Sequence, residues 1–474
     1  MTVSAPNRSS AARWGVAALL AVYIGIRIWN LGAFCLDSDE VFSVTTARLD
    51  WSSLVPAVAN DLVHPPLFYV LLKAWIVLGG TSLVWLRLLP CALSVAALIP
   101  LLALLRRLRL TPAASALALA LVAVNGYQAY HARYVRMYAL LFLLGLVSLL
   151  FFVAWLEEGG KRSLIALTTV NTLLVYAHYF GWMLILVEGI AVLWRERKRL
   201  RAFALSATIV AAGFAPWLIA IAHSTRVREG LEPNLRWARH PGFGDLAWFF
   251  TGLAGPLEPI PLAAALAVVW LAALAAGRAR GVRHPRLLVL AAALPPLLSF
   301  VLSGAMAESV WGSRHLVLAA VPGMALLAAS ACALHPAWLR RGTIALLAAW
   351  LAWGAYVAVF RPEPQVNLEV LTRQLAARCA GEREVALYSL DRYLPAWMGY
   401  FLESERDTKW RLEAIADPRA ATGDRFWLAY NEKFWRDARR PEQILRERGY
   451  DVGPGIWAAD PWNRLVLVPV RRLR

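Results

Sequence analysis

Residues 161–201 read KRSLIALTTVNTLLVYAHYFGWMLILVEGIAVLWRERKRLR. Two apolar runs, 164–178 and 179–194, stand between a basic pair and the basic cluster 195–201, and only a short polar turn at 177–180 divides them. Basic residues collect on the cytoplasmic side of membrane proteins. The stretch therefore predicts two membrane-spanning helices that run outward and back, with their connecting turn on the outer side.

The rest of the chain repeats this alternation. Of its 474 residues, 59% are hydrophobic and 17% are charged, whereas soluble proteins average about 45–50% apolar and about 25% charged residues. The formal charge of +18 would suit a nucleic-acid-binding protein only if the basic residues formed one solvated face. Here they form short clusters between apolar runs. The composition therefore argues against a soluble enzyme and against a nucleic-acid partner, and it indicates a multi-pass protein of the lipid bilayer.

The positions of the basic clusters set the number of spans in this α-helical polytopic membrane protein. With the N-terminus and every cluster in the cytoplasm, the alternation requires about eleven crossings. After the first span the alternation allows only one more crossing before Arg106, and 82–105 makes it with about 36 Å of helix, whereas 65–80 would give only about 23 Å against a hydrocarbon core of about 30 Å. The apolar segment 65–80 is therefore left out of the count. We expect it to lie on the outer surface or dip into it. The predicted spans are 14–34, 82–105, 111–125, 137–156, 164–178, 179–194, 202–222, 259–276, 286–304, 315–334 and 342–360.

The chain changes character after residue 360. Residues 1–360 form the predicted transmembrane domain, whose larger outside loops are 35–81 and 223–258. Residues 361–474 are mixed in charge and follow the last span, so we expect a soluble domain on the outer face. Helical periodicity alternates there with short strand-like runs, which is typical of a small α/β domain. The predicted helices are 368–379 and 441–448, and the predicted strands are 385–388, 426–430 and 465–470.

The first outside loop is acidic in an otherwise basic protein. Asp37, Asp39 and Glu40 directly follow the first span, where carboxylates are costly unless they are paired, solvated or functional. Solvation on the outer face accounts for Asp50 but accounts less well for the three packed acids. We therefore interpret these acids as functional. An Asp-x-Asp motif also occurs in nucleotide-sugar sites, but nucleotide sugars are cytoplasmic and this loop is predicted to lie outside.

His64 ends the acidic part of this loop and precedes Pro65 and Pro66. The two prolines fix the entry to a helix and remove two backbone donors that its first turn would leave unpaired. His64 is thereby held near the membrane surface, in the loop that carries the acids. A lone histidine is usually structural, but this position favours the binding of a phosphate or the transfer of a proton.

Several cationic groups break the charge rule, since they lie in turns that are predicted outside. Arg133 and Arg136 are three residues apart, so in a helix they share one face. The planar guanidinium of arginine matches phosphate oxygens. Contact with lipid headgroups explains any one such residue, but four outside turns carry polar groups of this kind, so we interpret them as a site for an anionic ligand. The candidates are His64, Arg133, Arg136, Tyr138, His178 and Arg314.

Four short motifs, taken in this order, resemble those of the GT-C glycosyltransferases. They are Asp39-Glu40, residues 61–69 (DLVHPPLFY), residues 136–140 (RMYAL) and residues 314–322 (RHLVLAAVP). The resemblance covers roughly residues 14–335. It is to the bacterial branch that is similar to protein O-mannosyltransferases, the lipid A aminoarabinose transferase and the Rhizobium core galacturonosyltransferases. His315 departs from the family, which more often has tyrosine after the arginine.

This resemblance implies a polyprenyl-phosphate monosaccharide as donor and a glycolipid, glycan or protein of the cell envelope as acceptor. It also implies transfer on the periplasmic face, usually with inversion at the anomeric carbon. The family has juxtamembrane helices in the first periplasmic loop, which agrees with the placement of 65–80. By this resemblance, Asp39 matches the catalytic carboxylate, and Glu40 matches the neighbouring catalytic residue that shapes or assists the site. His64 matches the position that contacts the lipid phosphate, and Arg136 matches the arginine at the membrane edge.

The chemistry fits these residue types. A carboxylate takes the proton of an acceptor hydroxyl as that hydroxyl attacks the anomeric carbon, which is general-base catalysis. Fixed cations stabilise the negative charge on the departing lipid phosphate. Whether a divalent metal, Mg²⁺ or Mn²⁺, joins Asp37 and Asp39 stays open, because carboxylates and a phosphate can hold such an ion without a dedicated cage.

Two other functions compete with glycosyl transfer. An O-antigen ligase or polymerase shares the compartment and the arginines but does not need the Asp-Glu pair or the His-Pro-Pro run. A transporter or lipid flippase needs charged or broken helices near the membrane midplane. The ionisable residues mostly lie at the ends of the predicted spans, and the exceptions are Arg27, Arg87 and Glu188. Arg27 is expected either to snorkel to an interface or to pair inside the helix bundle.

Overall fold

The computed structural model describes residues 8–224, 238–252, 282–360, 367–403, 405, 407–433, 435, 437–459 and 464–473. The chain divides into two compact units. The first comprises Met1–Leu31 and Thr46–Pro362, and the second comprises Gly32–Thr45 and Glu363–Arg474. The division at residue 362 follows the change in composition. The short segment Gly32–Thr45, however, groups with the C-terminal part of the chain, and within this unit the Cys35 thiol donates to Asn367 Oδ1 at 3.4 Å.

The first unit is helical. Among the described residues, five helices are long and apolar enough to cross a membrane, which makes the chain a multi-pass membrane protein. The total of eleven spans stays a prediction, since the predicted span 259–276 and parts of the loop 223–258 lie outside the described residues. The five helices are Leu83–Arg107, Tyr138–Glu158, Arg197–Ala222, Pro285–Ala305 and Arg314–Ala333.

In chain order, the described helices up to residue 360 are α1 (Arg8–Ile28), α2 (Ser38–Arg48), α3 (Trp51–Asp61), α4 (Leu67–Gly79), α5 (Leu83–Ala96), α6 (Leu98–Arg107), α7 (Pro112–Ala123), α8 (Gly126–His131), α9 (Tyr138–Glu158), α10 (Lys161–Ala177), α11 (Gly181–Arg195), α12 (Leu200–Ala222), α13 (Phe243–Gly252), α14 (Pro285–Ala305), α15 (Val317–Ala333) and α16 (Ala337–Phe360).

The helices α1, α8 and α16 differ from the sequence-based expectation, and α16 does so by starting at Ala337, five residues before the predicted span. α1 ends at Ile28 and not at residue 34, and Asn30 behind it has a left-handed backbone (φ 55°) that turns the chain away from the helix axis. The stretch 126–136, expected to be a loop, contains α8. The side chain of Asn125 caps this short helix by accepting from the backbone N–H of Gln128 at 2.7 Å.

The segment 65–80, expected to lie at the surface, forms α4, a helix of 13 residues. Ser82 caps the following helix α5 by accepting from the backbone N–H of Trp85. Trp75 of α4 stacks on Trp85 with ring centroids 4.3 Å apart. Each indole N–H also donates to the backbone carbonyl of the other tryptophan, at 2.8 and 2.9 Å. These paired bonds fix α4 against the start of α5.

Arg27 of α1 is fully buried. Its guanidinium donates to the carbonyls of Val122 and Ala123 at 3.3 and 3.1 Å, at the end of α7. It also donates to Ser94 Oγ at 2.9 Å and lies 3.3 Å from the centroid of the Tyr23 ring. The last carbonyls of a helix have no partner inside that helix, so a buried guanidinium is favourable there. Pairing inside the bundle, rather than snorkelling, accounts for Arg27.

Glu188 of α11 closes a ring of hydrogen bonds with Ser148 of α9 and Asn171 of α10. Ser148 Oγ lies 2.6 Å from both Asn171 Oδ1 and Glu188 Oε1, and Asn171 Nδ2 lies 2.8 Å from Glu188 Oε2. Three contacts need three protons, but the serine hydroxyl and one amide N–H supply only two. Glu188 therefore carries the third proton and is a neutral acid, whichever way the Asn171 amide is turned.

We expect Glu188→Gln to keep this ring, because glutamine donates as the neutral acid does, and to change the free energy of unfolding by less than about 1 kcal/mol. Glu188→Ala leaves two buried polar groups without a partner and should lower it by about 2–4 kcal/mol. Thermal unfolding of the purified chain in detergent measures both. Infrared difference spectra of the native chain and Glu188→Gln at neutral pH should show the carbonyl band of a protonated carboxylic acid. Absence of that band contradicts the neutral assignment.

The second unit carries a six-stranded sheet in the order β2-β1-β3-β6-β4, with β5 also paired to β6. β1 is parallel to β2 and β3, whereas β6 is antiparallel to β3, β4 and β5. The strands are β1 (Glu384–Ser389), β2 (Lys409–Ala414), β3 (Arg425–Asn431), β4 (Tyr450–Val452), β5 (Ile456–Ala459) and β6 (Arg464–Arg472), and the helices are α17 (Leu368–Arg378), α18 (Leu394–Leu402) and α19 (Pro441–Glu447).

Alternate residues of β3 face two separate cores. Trp427 and Ala429 pack with α17 and α18, while Phe426 and Leu428 pack with Leu445 of α19. Each helix and strand expected from the sequence here has a counterpart within one or two residues at each end. The sequence did not predict α18, β2, β4 and β5. The strand β2 is at the sheet edge and has no buried residue, so it lacks the apolar face by which strands are recognised.

Candidate active site

The acids after the first span form the start of α2. Asp37 Oδ1 accepts from the backbone N–H of Glu40 at 2.9 Å, and Glu40 Oε2 accepts from the backbone N–H of Asp37 at 3.1 Å. This reciprocal pair is a capping box, which satisfies two backbone donors at the helix start. Capping therefore gives Asp37 and Glu40 a structural role. Asp39 lies between them in the first turn and is partly exposed, while its backbone carbonyl accepts from Ser43 Oγ.

The capping box makes Glu40 testable apart from Asp39. We expect Glu40→Gln to keep the cap, because glutamine also serves at the third position of this motif, and to leave the thermal stability nearly unchanged. Glu40→Ala removes one of the two capping bonds, the one from the backbone N–H of Asp37, and should lower the free energy of unfolding by about 1 kcal/mol. Thermal unfolding in detergent measures the difference. Equal stability of the two variants would contradict the capping role.

His64 is positioned by the turn between α3 and α4. Leu62 ends α3 in a left-handed conformation (φ 63°), which returns the chain toward the helix end. His64 Nδ1 then lies 2.5 Å from Asp61 Oδ2. On its other side, Arg136 places one guanidinium nitrogen 3.0 Å from His64 Nε2 and another 3.3 Å from Tyr69 Oη. The turn thus joins Asp61, His64, Arg136 and Tyr69 in one hydrogen-bonded group.

Proton accounting fixes the state of His64. An arginine nitrogen is always a donor, so His64 Nε2 accepts and carries no proton. The remaining ring proton sits on Nδ1 and is donated to Asp61 Oδ2. His64 is therefore neutral in this arrangement and links the carboxylate of Asp61 to the guanidinium of Arg136. The positive charge of the group belongs to Arg136, whose side chain is held on two sides and buried.

His178 lies beside this group, in the turn between α10 and α11. Tyr179 anchors that turn by donating to the Leu62 carbonyl at 3.2 Å. The rings of His178 and His64 have centroids 6.0 Å apart. Burial, together with the nearby positive charges of Arg136 and Arg314, lowers the pKa of His178 well below its usual value, so its ring is neutral.

The tautomer of His178 also follows from its contacts. Its Nδ1 accepts from the backbone N–H of Phe180 at 3.1 Å, so the single ring proton lies on Nε2. Within the described ranges, this buried Nε2 has no hydrogen-bond partner. An unpaired buried donor costs about 1–3 kcal/mol, and such a group calls for an explanation such as a ligand.

Tyr138 and His315 complete a cluster around His178. The His315 ring lies 4.9 Å from the His178 ring and 6.2 Å from the Tyr138 ring, centroid to centroid. Arg314 precedes His315 and acts electrostatically on both histidines. We call this set the polar cluster, and its members are Asp61, His64, Tyr69, Arg136, Tyr138, His178, Arg314 and His315.

The sequence left Asp61, Tyr69 and His315 without a role, although all three lie in motifs that it singled out. Arg133, by contrast, was predicted to bind the ligand together with Arg136. α8 ends at His131 and residues 132–137 form turns, so the helix face predicted to carry Arg133 and Arg136 together is wrong. Arg133 instead donates to the Trp29 carbonyl at 3.3 Å. Its electrostatic neighbours include Cys91, Arg87 and Tyr130.

A metal between Asp37 and Asp39 finds limited support in these side chains. Among the described residues, no group of three or more histidine, cysteine, aspartate or glutamate side chains is arranged to hold a metal ion. One oxygen of Asp37 is already used by the cap. The remaining carboxylate oxygens fit Mg²⁺ or Mn²⁺ only together with oxygens from a bound phosphate.

No protein-family model matches the sequence, and no curated protein matches it either. Solved structures do match. ArnT from Cupriavidus metallidurans, bound to undecaprenyl phosphate, gives a TM-score of 0.57 at 14% identity, and the match covers 98% of each chain. The chain has the GT-C glycosyltransferase fold.

Two further GT-C structures agree. The arabinofuranosyltransferase AftD from Mycobacteria gives a TM-score of 0.52 at 14% identity, covering 99% of this chain and 40% of its own. The apo oligosaccharyltransferase from Archaeoglobus fulgidus gives 0.50 at 11% identity, covering 87% of this chain and 65% of its own. The GT-C resemblance inferred from the short motifs is thereby confirmed at the level of the fold.

Proposed function

We propose that this GT-C protein transfers a monosaccharide from a polyprenyl-phosphate donor to a hydroxyl group of an envelope glycolipid, polysaccharide or protein. The observation that carries the proposal is the buried guanidinium of Arg136, held by His64 and Tyr69 beside the unpaired Nε2–H of His178. A fixed cation next to an unused donor suits a phosphate group. ArnT, which shares the fold, has undecaprenyl phosphate bound in its structure.

The proposed chemistry divides between two sets of residues. Arg136 and Arg314 stabilise the charge that develops on the lipid phosphate as its bond to the anomeric carbon breaks, and His178 donates a hydrogen bond to it. The neutral His64 is a positioning residue, because its Nε2 accepts from Arg136 and its Nδ1 is held by Asp61. Asp39 takes the proton of the acceptor hydroxyl as the new bond forms, with inversion at the anomeric carbon. No step is assigned to a metal.

The structure favours this function over transport. A transporter would use charged groups within its spans, but Arg27, Arg87 and Glu188 are engaged by neighbouring groups. Arg87 donates to the Leu31 carbonyl at 2.9 Å, and the other two are held by the bonds described above. The His-Pro-Pro run, which an O-antigen ligase does not need, here builds the turn that holds Arg136.

The function is tested by comparing envelope glycolipids and glycoproteins, by mass spectrometry, from cells with and without the protein. We expect one sugar residue to be missing from one class of molecule, and to return with the native chain but not with Arg136→Met. An unchanged set of glycans contradicts the proposal. The molecule that loses the sugar identifies the acceptor class.

We also propose that transfer occurs on the periplasmic face of the inner membrane, with the N-terminus in the cytoplasm. Asp50 and Lys161 are both exposed and are predicted on opposite sides. The test uses intact cells and a thiol reagent that crosses the outer membrane but not the inner membrane. The reagent should label Asp50→Cys directly, and it should label Lys161→Cys only after the inner membrane is permeabilised. Lys73 is unsuitable for this purpose, because it is buried and donates to the Leu49 carbonyl. The reverse labelling pattern contradicts the orientation.

A further inference from the structure

A second group of polar side chains lies on the α8 side of Tyr138. The His131 ring is 5.0 Å from the Tyr138 ring, which in turn is 6.4 Å from the His178 ring, centroid to centroid. Gln128 precedes His131 by three residues and therefore lies on the same side of α8. Tyr138 thus stands between α8 and the part of the polar cluster that holds Arg136.

Three buried nitrogens in this region have no hydrogen-bond partner within the described part of the chain: Gln128 Nε2, His131 Nδ1 and His178 Nε2. Their residues are only 4%, 6% and 3% exposed. Buried polar side chains normally have partners, and three neighbouring exceptions indicate groups that a ligand satisfies. The unpaired atoms of Gln128 and His178 are N–H donors.

The neutral state of His131 distinguishes this region chemically from a phosphate site, which needs positive charge. Burial and the positive charge of Arg314 lower its pKa to about 3, so the ring is uncharged under all ordinary conditions. Neutral imidazole and amide groups both donate and accept, as sugar hydroxyls do. The rings of Tyr127 and Tyr130 stand edge-on to His131 at 4.5 and 5.2 Å. They supply apolar surface for the C–H groups of a sugar ring.

We propose that Gln128 and His131, next to the His178 N–H that meets the phosphate, form the subsite for the sugar of the donor, and that this sugar is a neutral hexose or pentose. The inference rests on the proposed function, since it needs a lipid-phosphate sugar whose phosphate lies at Arg136. Arg314 disfavours an amino sugar, because its positive charge acts on His131 and it adjoins His315, whose ring lies 6.2 Å from the Tyr138 ring. Gln128 and His131 are uncharged, so neither pairs with the carboxylate of a uronic acid.

The test uses the purified full-length chain in detergent. Affinities are measured by native mass spectrometry for undecaprenyl phosphate and for undecaprenyl-phosphate glucose, galactose, mannose and arabinofuranose, with the 4-amino-4-deoxyarabinose lipid as the charged comparison. We expect at least one neutral sugar to raise the affinity above that of the bare lipid phosphate by about tenfold. In Gln128→Leu and His131→Phe this gain should be lost, while the affinity for bare undecaprenyl phosphate stays within about twofold of the native value.

The outcomes separate the two proposals. If the native chain does not bind undecaprenyl phosphate, the proposed function fails and the subsite fails with it. If the bare lipid binds but no neutral sugar increases the affinity, or if the amino sugar does so best, only the subsite is overturned. It is also overturned if the two variants keep the gain, which would mean that water alone fills the region. Retained binding of the bare lipid shows that each variant is folded, and Arg136→Met, which should lose both lipids, is the control for phosphate binding.

Discussion

Asp39→Asn is expected to lower the rate of sugar transfer by about 10²–10⁴-fold while the protein stays folded and inserted in the membrane. An amide has nearly the shape of the carboxylate but cannot take the proton of the attacking hydroxyl. The bonds that cap α2 use Asp37 and Glu40, so the substitution leaves them in place. The rate is measured in liposomes with the polyprenyl-phosphate sugar and the acceptor that the glycan comparison identifies.

Asp50→Asn is the matched control for this substitution. Asp50 lies in the same outside loop and is exposed, and although it precedes α3, its side chain makes no capping bond. Its removal changes the charge of the loop by the same amount, so transfer should stay within about twofold of the native rate. Normal transfer by Asp39→Asn, or an equal loss in both variants, would contradict the role of Asp39 as the base.

Arg136→Met should weaken the binding of undecaprenyl phosphate by about 100-fold, because charged hydrogen bonds to a buried phosphate contribute about 1.5–3 kcal/mol. Isothermal titration in detergent measures the affinity. Arg133→Met removes an arginine three residues away that donates to the Trp29 carbonyl. It should change the affinity by less than about threefold. Similar losses in both variants would mean that both arginines contact the phosphate, which contradicts the separation of Arg133 from Arg136 by the turn at 132–137.

Substitutions of His64 test its positioning role separately from charge. Glutamine can accept from Arg136 and donate to Asp61, so His64→Gln should keep most of the affinity for undecaprenyl phosphate. His64→Leu breaks both bonds and should reduce the affinity by about tenfold. Because His64 is neutral, the affinity of the native chain relative to that of His64→Gln should stay constant between pH 6 and pH 8, since no ring proton is gained or lost. Equal affinity of the two variants contradicts the positioning role.

The sequence predicted those features that depend on local pattern. Apolar runs and basic clusters indicated a multi-pass membrane protein, and alternating residues located β1, β3 and β6. Helix ends were less certain, because an apolar run such as 14–34 can continue past the residue, here Asn30, at which the backbone turns. The edge strand β2 was missed because it buries no face.

The contacts of the polar cluster were beyond a single sequence. His64 and Arg136 were each singled out, but their hydrogen bond joins residues 72 positions apart. The neutral state of His64 depends on that bond and on Asp61, and the sequence shows neither contact. The sequence therefore predicted a histidine that binds phosphate, whereas we propose from the geometry that His64 positions Arg136. The helix face predicted to carry Arg133 and Arg136 together was wrong for a local reason, since the helix that would have aligned them stops at His131.

The grouping of Gly32–Thr45 with Glu363–Arg474 has a consequence for the timing of synthesis. The segment that carries Asp39 leaves the ribosome early, but about 320 residues separate it from the first residue of its packing partner. At about 5–20 residues per second, it waits for about 15–60 s before its packing partner begins to appear. A chain that stops or is cut before residue 363 can insert its helices in the membrane, but it lacks the support for its Asp39 segment. Such a chain is therefore expected to lack the sugar transfer that we propose.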